Sequence, residues 1–244
     1  MMEKKTSDQN PESFPTDLSE DYTAQTDVPI VAIGASAGGV EALTAFFNQV
    51  PDNSGLAFVV IQHMNPQCED LLAEILQHAT SMKVVQSRDL MAVAPNCVYT
   101  IPPNKKMTIH NGLLHVHDYY AVHTRPQPVN FFFESLADDE GPASLGVILC
   151  GTGADGAAGI RAIKASSGAV FVQDPVSAQF DGMPRSAIAT GLADYIGAAE
   201  SIPDQILAHL ASQTPGRQPD LPPVVPRRSS YYQILDILQS ATGH

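Results

Sequence analysis

Three side chains that could perform acyl transfer follow predicted strands: Ser36, His63 and Asp155. Ser36 lies in the segment GASAG, whose Gly-x-Ser-x-Gly spacing is typical of a nucleophile elbow at the carboxyl end of a strand. His63 follows the apolar run LAFVVIQ, and Asp155 follows the run LGVILC within GTGADG. A serine nucleophile, a histidine that accepts its proton and a carboxylate that orients the histidine form a hydrolytic triad. Sites of parallel sheets form at the carboxyl ends of strands, so the sequence predicts a triad there.

The glycines around these side chains predict turns whose backbone N–H groups are exposed. A helical pattern begins after Gly38, and the N-terminus of a helix carries a partial positive charge. Both features would stabilise a tetrahedral oxyanion beside Ser36. Arg185 begins another predicted helix, and its guanidinium could orient a substrate or a carboxylate; the spacing leaves its role open.

Each member of the triad also has a purely structural interpretation. The pattern around Ser36 is common, His63 could be a loop histidine, and Asp155 could cap the helix that follows it. The coincidence of all three at strand ends favours the triad over these separate interpretations.

A nucleotide site is the main alternative for the GTGADG segment. Gly151-x-Gly153-x-x-Gly156 matches the dinucleotide fingerprint, and Asp174 lies 18 residues after Gly156, near the expected ribose-binding acid. However, Asp155 lies inside the loop and would repel a pyrophosphate. This alternative also leaves Ser36 without a role.

His115-x-His117 would direct two imidazoles to one face of a strand, as a metal pair could. A solvated hairpin face is the favoured interpretation. We therefore predict neither a metal nor a cofactor for this chain.

The fold class predicted from hydrophobic patterning is a doubly wound α/β fold. From residue 28 onward, apolar strand-like runs alternate with helical patterns, which implies a mostly parallel sheet with helices on both faces. Residues 89–117 differ, because short strands are separated by proline and by Asn111-Gly112, a strong hairpin signal. We predict a β-hairpin excursion there.

Composition sets the domain boundaries and excludes several function classes. The net charge of −13 argues against binding of nucleic acid, and no apolar run is long enough to span a membrane. Residues 1–27 are predicted to be a disordered acidic tail without a secretory signal, and the three scattered cysteines favour a reducing cytoplasm. Residues 213–229 are predicted to be a proline-rich linker, and residues 230–244 are predicted to form a helix whose apolar stripe needs a partner.

A series of motifs resembles the CheB-type protein-glutamate methylesterase domain of bacterial chemotaxis. The motifs occur in order between residues 28 and 212: VAIGASAGGVEAL, VVIQHM, YTIPPN, GVILCGTGADGAAGI and DGMPRSAIATG. The resemblance implies that Ser36 is the nucleophile, His63 the general base and Asp155 its orienting carboxylate. The implied reaction is hydrolysis of glutamate γ-methyl esters on chemoreceptor helices, with deamidation of receptor glutamines in some members.

The resemblance also implies which residues surround the nucleophile. The oxyanion donors would be backbone N–H groups, and the residues expected at the oxyanion or the substrate are Ala37, Gly38, Thr152, Gly153, Met183 and Arg185. Ala37 stands where the family often has threonine, and Thr152 where it often has methionine. Family members often carry an N-terminal receiver domain; residues 1–27 are too short for one, so we expect control from elsewhere. A non-catalytic module that binds receptors or a methyltransferase is the alternative function.

The segments FFFESLA and QILDILQSATGH resemble the methylesterase half of hybrid proteins in which a CheR-type methyltransferase follows. On this basis residues 230–244 are the start of that domain, and S-adenosylmethionine would belong to it. The expected partners are methylated chemoreceptor helices and a covalently linked methyltransferase, in the cytoplasm.

Overall fold

The computed structural model describes residues 28–62, 71–118 and 127–213. Within these residues, the main sheet has seven strands, all parallel, in the order β10-β9-β8-β1-β2-β5-β3. Its strands are β1 (Ile30–Ala35), β2 (Ala57–Gln62), β3 (Lys83–Gln86), β5 (Cys97–Thr100), β8 (Leu145–Ile148), β9 (Ala169–Gln173) and β10 (Tyr195–Gly197). The six longer helices are α1 (Gly39–Phe47), α2 (Leu71–Ala79), α3 (Pro128–Glu140), α4 (Ala157–Ala165), α5 (Gly182–Ile188) and α6 (Ile202–Gln213). The predicted doubly wound α/β fold is confirmed.

The central strands are covered on both faces, which explains their continuous apolar sequences. Every residue of β1 and of β2 is buried. On one face Phe58 makes edge-to-face contacts with Phe46 and Phe47 of α1, at centroid distances of 6.0 and 5.4 Å. On the other face Val59 belongs to the same buried cluster as Phe133 of α3. A strand buried on both sides has no polar face, so it reads as an unbroken apolar run.

The sheet order places a topological switch point beside β1. From β1 the chain extends the sheet in one direction through β2, and later returns to the other side of β1 through β8. Gly34 is in register with both Ile61 and Ile148, so the carboxyl ends of these three strands lie side by side. Ligands of open parallel sheets bind at such points.

A second, antiparallel sheet of three strands has the order β4-β7-β6, with β4 (Met91–Ala92), β6 (Lys105–His110) and β7 (Leu113–Asp118). Asn111 and Gly112 join β6 to β7, and both have positive φ, at 50° and 69°. This is the backbone that a two-residue hairpin turn of the Asn-Gly type requires. The Asp139 carboxylate of α3 accepts the N–H groups of both turn residues, at 2.6 and 3.1 Å. The predicted hairpin excursion is present and is bonded to the α/β body.

The extent predicted for the excursion is wrong at one segment. Residues 97–100, expected within it, form β5, which lies between β2 and β3 in the main parallel sheet. The strand is short, and its partners at Ala57–Val60 and Lys83–Gln86 are distant in sequence. Local patterning carries no signal for such pairing.

By contact density the chain divides into residues 1–203 and residues 204–244. The first unit contains both sheets, and the described part of the second is residues 204–213 of α6. Among the described helices, none is long and apolar enough to cross a membrane. The predictions for residues 1–27 and 230–244, and for most of the linker 213–229, fall outside the described residues.

Candidate active site

Ser36 directly follows β1 and begins a tight turn into α1. Its N–H donates to the Cys150 carbonyl oxygen (3.0 Å), and its own carbonyl oxygen accepts the Gly39 N–H (2.8 Å). The first bond ties the turn to the chain after β8, and the second closes it against the start of α1. These two bonds fix the backbone of Ser36 on both sides. Ser36 is 8% exposed and lies at the carboxyl ends of β1, β2 and β8, which we call this edge of the sheet.

The turn requires glycine at position 38. Gly38 has φ of 68°, in the left-handed region, and it is the N-cap of α1. A Cβ built on it would lie 2.8 Å from Cys150 Sγ and 2.9 Å from Phe180 Cδ2. Both the backbone conformation and the surrounding atoms therefore exclude larger residues.

Backbone N–H groups that could bind an anion lie at the carboxyl ends of β1 and β8. In the three described segments of the chain, Ala37, Gly38, Thr152 and Gly153 donate no backbone hydrogen bond to the protein. Ala37, Thr152 and Gly153 are exposed, and Gly38 is partly exposed. Because the first two follow β1 and the last two follow the adjacent β8, they flank Ser36. Such donors can stabilise a developing oxyanion without being released from other partners.

The Asp155 carboxylate is held at the N-terminus of α3. Its Oδ2 accepts the Val129 N–H, and its Oδ1 accepts the N–H groups of Asn130 and Gly156, each at 3.0 Å. Asp155 is 7% exposed. Three N–H donors and the positive end of a helix stabilise the charged form of a buried carboxylate. This geometry suits a carboxylate whose task is to hold a charged or polarised partner.

The structure corrects the alternative in which Asp155 caps the helix that follows it. The N-cap of α4 is Gly156, and its first turn is capped by a residue of α3. The Asn130 side-chain oxygen accepts the N–H groups of Gly156, Ala158 and Gly159, at 2.9, 3.0 and 2.8 Å. Sequence reasoning missed Asn130 because its partners are 26 to 29 residues away.

The same contact weighs against the dinucleotide alternative. A pyrophosphate would need the N–H groups at the start of α4, and Asn130 already occupies them. Asp174, the candidate ribose ligand, instead accepts the Val176 N–H through its side chain (3.0 Å). The N–H groups at the start of α4 and the Asp174 carboxylate are therefore both engaged in bonds within the protein, whereas the fingerprint requires them for the nucleotide.

His63, the proposed general base, lies outside the described residues. Gln62, the residue before it, is the last residue of β2 and donates from Nε2 to the Ser36 carbonyl oxygen (3.4 Å). The Gln62 side chain is buried, and within the described residues its Oε1 has no hydrogen-bond partner. The end of β2 is therefore bonded directly to the nucleophile turn. The sequence offered no signal for this amide beyond its position next to His63.

Met183 lies against the turn, whereas Arg185 pairs with Asp181. The Met183 N–H donates to the Gly151 carbonyl oxygen (2.8 Å), and a Cβ built on Gly151 would lie 2.3 Å from Met183 Sδ and 3.0 Å from Ser36 Cβ. Met183 is 1% exposed, so its buried side chain packs beside Gly151 and Ser36. Arg185 donates from Nε to the Asp181 carboxylate (2.6 Å) at the start of α5. The structure thus brings Met183 to the serine and pairs the Arg185 guanidinium with Asp181.

Cys150 is a further residue of this edge that sequence reasoning passed over. Its thiol donates to the Ala37 carbonyl oxygen (3.2 Å), its sulfur accepts the Phe180 N–H (3.1 Å), and its own N–H donates to Gln173 Oε1 (2.8 Å). Cys150 therefore joins the chain after β1, the end of β9 and the loop before α5. A cysteine in an apolar run is interpreted from sequence as an ordinary core residue, so the hydrogen bonds of Cys150 were not predicted.

The two histidines of the hairpin lie on β7 of the second sheet. His115 and His117 stack at a centroid distance of 6.4 Å, and His117 Nε2 is 3.1 Å from Thr108 Oγ1. Asp89, which the sequence did not place nearby, has a carboxylate oxygen 3.9 Å from His115 Nδ1. Across the described residues, no group of three or more histidine, cysteine, aspartate or glutamate side chains could hold a metal ion.

The fold and this edge define a class: doubly wound α/β proteins with a serine in a glycine turn at the switch point of a parallel sheet. Residues 31–206 match the family model described as CheB methylesterase. The chain belongs to the CheB methylesterase family, as its motifs predicted.

Relatives and a solved structure agree with this assignment. The chain is 34% identical over 186 residues to a protein-glutamate methylesterase/protein-glutamine glutaminase of Moorella thermoacetica, covering 74% of this chain and 44% of the relative. It is 33% identical to the enzyme of that name from the group 3 operon of Rhizobium meliloti, covering 76% and 53%. The crystal structure of the Thermotoga maritima CheB methylesterase catalytic domain superimposes with a TM-score of 0.68 at 30% identity, covering 75% of this chain and 98% of that domain. The chain thus spans about half the length of these curated relatives.

Proposed function

We propose that this chain is a serine hydrolase that removes methyl groups from glutamate γ-methyl esters of chemoreceptors, with deamidation of receptor glutamines as a second reaction. Ser36 is the nucleophile, His63 the general base and Asp155 the carboxylate that orients it. The observation that carries the proposal is the position of Ser36 at the switch point of the sheet, between N–H groups that have no partner in the described protein.

In the first step the Ser36 hydroxyl attacks the ester carbonyl carbon while His63 takes its proton. The resulting oxyanion is stabilised by N–H groups from the ends of β1 and β8, among them those of Ala37 and Thr152. Collapse breaks the bond to the methoxy group, which leaves as methanol with the proton from His63. Water then hydrolyses the acyl-enzyme, and the products are free glutamate and Ser36.

Two contacts support the roles of the other members of the triad. The Gln62 amide is bonded to the Ser36 carbonyl oxygen, and His63 is the next residue in the sequence. The Asp155 carboxylate is buried and held by three N–H groups. A carboxylate fixed in this way can stabilise the imidazolium that forms during attack.

The substrate rests on the relatives. Those described above are named for methylesterase and glutaminase activity on protein glutamate and glutamine, and we extend this activity to the present chain. Methylated receptor helices as partners, a linked CheR-type methyltransferase and a cytoplasmic setting remain part of this proposal.

The test is methanol release from a methylated chemoreceptor cytoplasmic fragment. Ser36→Ala is expected to lower the rate by at least about a thousand-fold, since little but the oxyanion donors would remain. Ser54→Ala, a loop serine that accepts the Leu56 N–H, is the matched control and is expected to keep activity. Equal methanol release by Ser36→Ala and the wild type, above the background without protein, would refute Ser36 as the nucleophile. Release no faster than that background by both proteins would favour a non-catalytic module that binds the receptor.

A further inference from the structure

The chain after β1 forms a type II β-turn over residues 36–39. The Ser36 carbonyl oxygen accepts the Gly39 N–H (2.8 Å), which closes the four-residue turn. Gly38, the third residue, has φ of 68° and ψ of 9°, and Ala37 does not have a positive φ, which excludes the type I′ turn. A type II turn has values of about 80° and 0° at its third residue, whereas a type I turn has a negative φ there. The proposed nucleophile is therefore the first residue of a type II turn.

Turns of types I and II differ in the direction of their central peptide, which here joins Ala37 to Gly38. Converting type II into type I rotates this peptide by roughly 180° and leaves the two ends of the turn in place. Because glycine adopts positive and negative φ about equally readily, Gly38 permits both turn types. The glycine therefore allows the observed turn without enforcing it, so the direction of the central peptide depends on its contacts.

The Cys150 thiol fixes the direction of the central peptide. It donates to the Ala37 carbonyl oxygen (3.2 Å), and no other group in the described segments donates to that oxygen. Cys150 is 1% exposed, and its carbonyl oxygen accepts the Ser36 N–H (3.0 Å), so the thiol is held against the turn from the protein interior. By contrast, the Ser36 carbonyl oxygen accepts two bonds, from the Gly39 N–H and from the Gln62 amide. The central peptide thus depends on one side-chain donor.

The same peptide carries the Gly38 N–H, which points away from Cys150. In a planar trans peptide the C=O and N–H groups point in opposite directions. Since the Ala37 carbonyl is directed to a buried thiol, the Gly38 N–H is directed away from it, and Gly38 is itself partly exposed. In a type I turn the Ala37 carbonyl oxygen would be directed where this N–H now points, and it would repel a developing oxyanion.

On the basis of the proposed function, we infer that Cys150 is a positioning residue for the oxyanion donor at Gly38. The thiol acts through the Ala37 carbonyl: it holds the turn in the type II form and so presents the Gly38 N–H to the oxyanion that forms on attack by Ser36. Because Cys150 is buried, it does not itself contact the substrate. The N–H binds charge that develops only in the transition state, so the loss of the thiol should lower kcat and leave KM nearly unchanged.

Three substitutions separate hydrogen bonding from packing when kcat and KM are measured by methanol release from a methylated chemoreceptor cytoplasmic fragment. Cys150→Ala removes the donor and the volume of the sulfur, Cys150→Val keeps apolar volume without a donor, and Cys150→Ser keeps a donor in a smaller side chain. We expect kcat to fall about ten-fold in Cys150→Ala and Cys150→Val, and to stay within about three-fold of the wild type in Cys150→Ser. Cys97→Ala, which removes a partly buried thiol at the start of β5, is the matched control and should keep kcat.

The loop that contains Phe180 has a second attachment, so the same substitutions do not release it. Cys150 Sγ accepts the Phe180 N–H (3.1 Å), and Cys150→Ala and Cys150→Val both remove that acceptor. The Phe180 carbonyl oxygen nevertheless accepts the Gly151 N–H (2.9 Å), a bond between backbone groups that all three variants keep.

Three results would overturn the inference while the proposed function stands. A wild-type kcat in both Cys150→Ala and Cys150→Val would show that the donor is dispensable. Equal losses in Cys150→Ala and Cys150→Ser, with a wild-type kcat in Cys150→Val, would assign the thiol to packing alone. A higher KM at constant kcat would place its effect on substrate binding. If the wild type releases no more methanol than Ser36→Ala, the proposed function and this inference both fall.

Discussion

Asn130 and Asp155 cap each other's helices. Asp155 lies in the loop before α4, and its carboxylate accepts the Asn130 N–H at the start of α3 (3.0 Å). The Asn130 side-chain oxygen in turn accepts the Gly156 N–H at the N-cap of α4 (2.9 Å). The proposed catalytic carboxylate is therefore held by an exchange of hydrogen bonds between two helix N-termini.

Asn130→Ala should strongly destabilise the protein. The substitution leaves the N–H groups of Gly156, Ala158 and Gly159 without their acceptor, at a cost of about 2–4 kcal/mol in the free energy of unfolding. Urea denaturation measures this loss, and Asn53→Ala, which replaces an exposed loop residue, is the control. A change below about 0.5 kcal/mol in Asn130→Ala would contradict the reciprocal caps.

Asp155→Asn should lower both activity and stability. An amide keeps one oxygen acceptor, so a bond to Val129 or to the pair Asn130 and Gly156 is lost, which costs about 1–3 kcal/mol. Loss of the charge that orients the base is expected to lower kcat by about a thousand-fold or more. Asp138→Asn replaces an exposed carboxylate on α3 and should change neither activity nor stability. Wild-type methanol release in Asp155→Asn would remove Asp155 from the triad.

Gly38→Ala separates backbone strain from packing when it is compared with Gly55→Ala. Both glycines have positive φ, at 68° and 76°, but a Cβ on Gly55 meets nothing within 4 Å. Gly55→Ala should cost about 1–2 kcal/mol from the left-handed backbone alone. Gly38→Ala should cost more, about 2–4 kcal/mol, because its Cβ also meets Cys150 and Phe180. Thermal denaturation measures the free energy of unfolding of both variants. Equal losses would show that Cys150 and Phe180 can move away from the turn.

Glu140→Gln should raise stability at alkaline pH only. Burial, and secondarily the charge of Asp139, raise the pKa of Glu140 to about 7 from 4.5. The folded state thus keeps a proton that the unfolded state releases, and stability falls as pH rises from about 4.5 to about 7. Because the Glu140 carboxylate is partly exposed, screening limits the gain of Glu140→Gln to about 1–2 kcal/mol above pH 7. Urea denaturation at pH 5 and pH 8 measures this gain in the free energy of unfolding, and Glu134→Gln, at an exposed position, is the control. A gain of equal size at both pH values would exclude the raised pKa of Glu140 as its cause.

Local patterning predicted much of the architecture because the signals that define its elements are short-range. Continuous apolar runs identified β1 and β2, and Asn111-Gly112 identified the turn between β6 and β7. The order of motifs identified the family, which the match over residues 31–206 confirms. The candidate serine was visible for the same reason, since its glycine spacing is a property of one turn.

The tertiary structure decided whatever depends on partners far apart in the chain. It placed β5 in the main sheet, directed the Arg185 guanidinium to Asp181, and bonded Gln62 and Cys150 to the chain around Ser36. The role of His63 stays a prediction from the sequence.

Asp155 illustrates the physical limit. Its position after a strand was readable from the sequence alone, as was the glycine turn around Ser36. Its binding to the N-terminus of α3, through N–H groups 25 and 26 residues away, was not. A hydrogen bond between distant segments exists only once the sheet and helices have packed, so no window of sequence contains it.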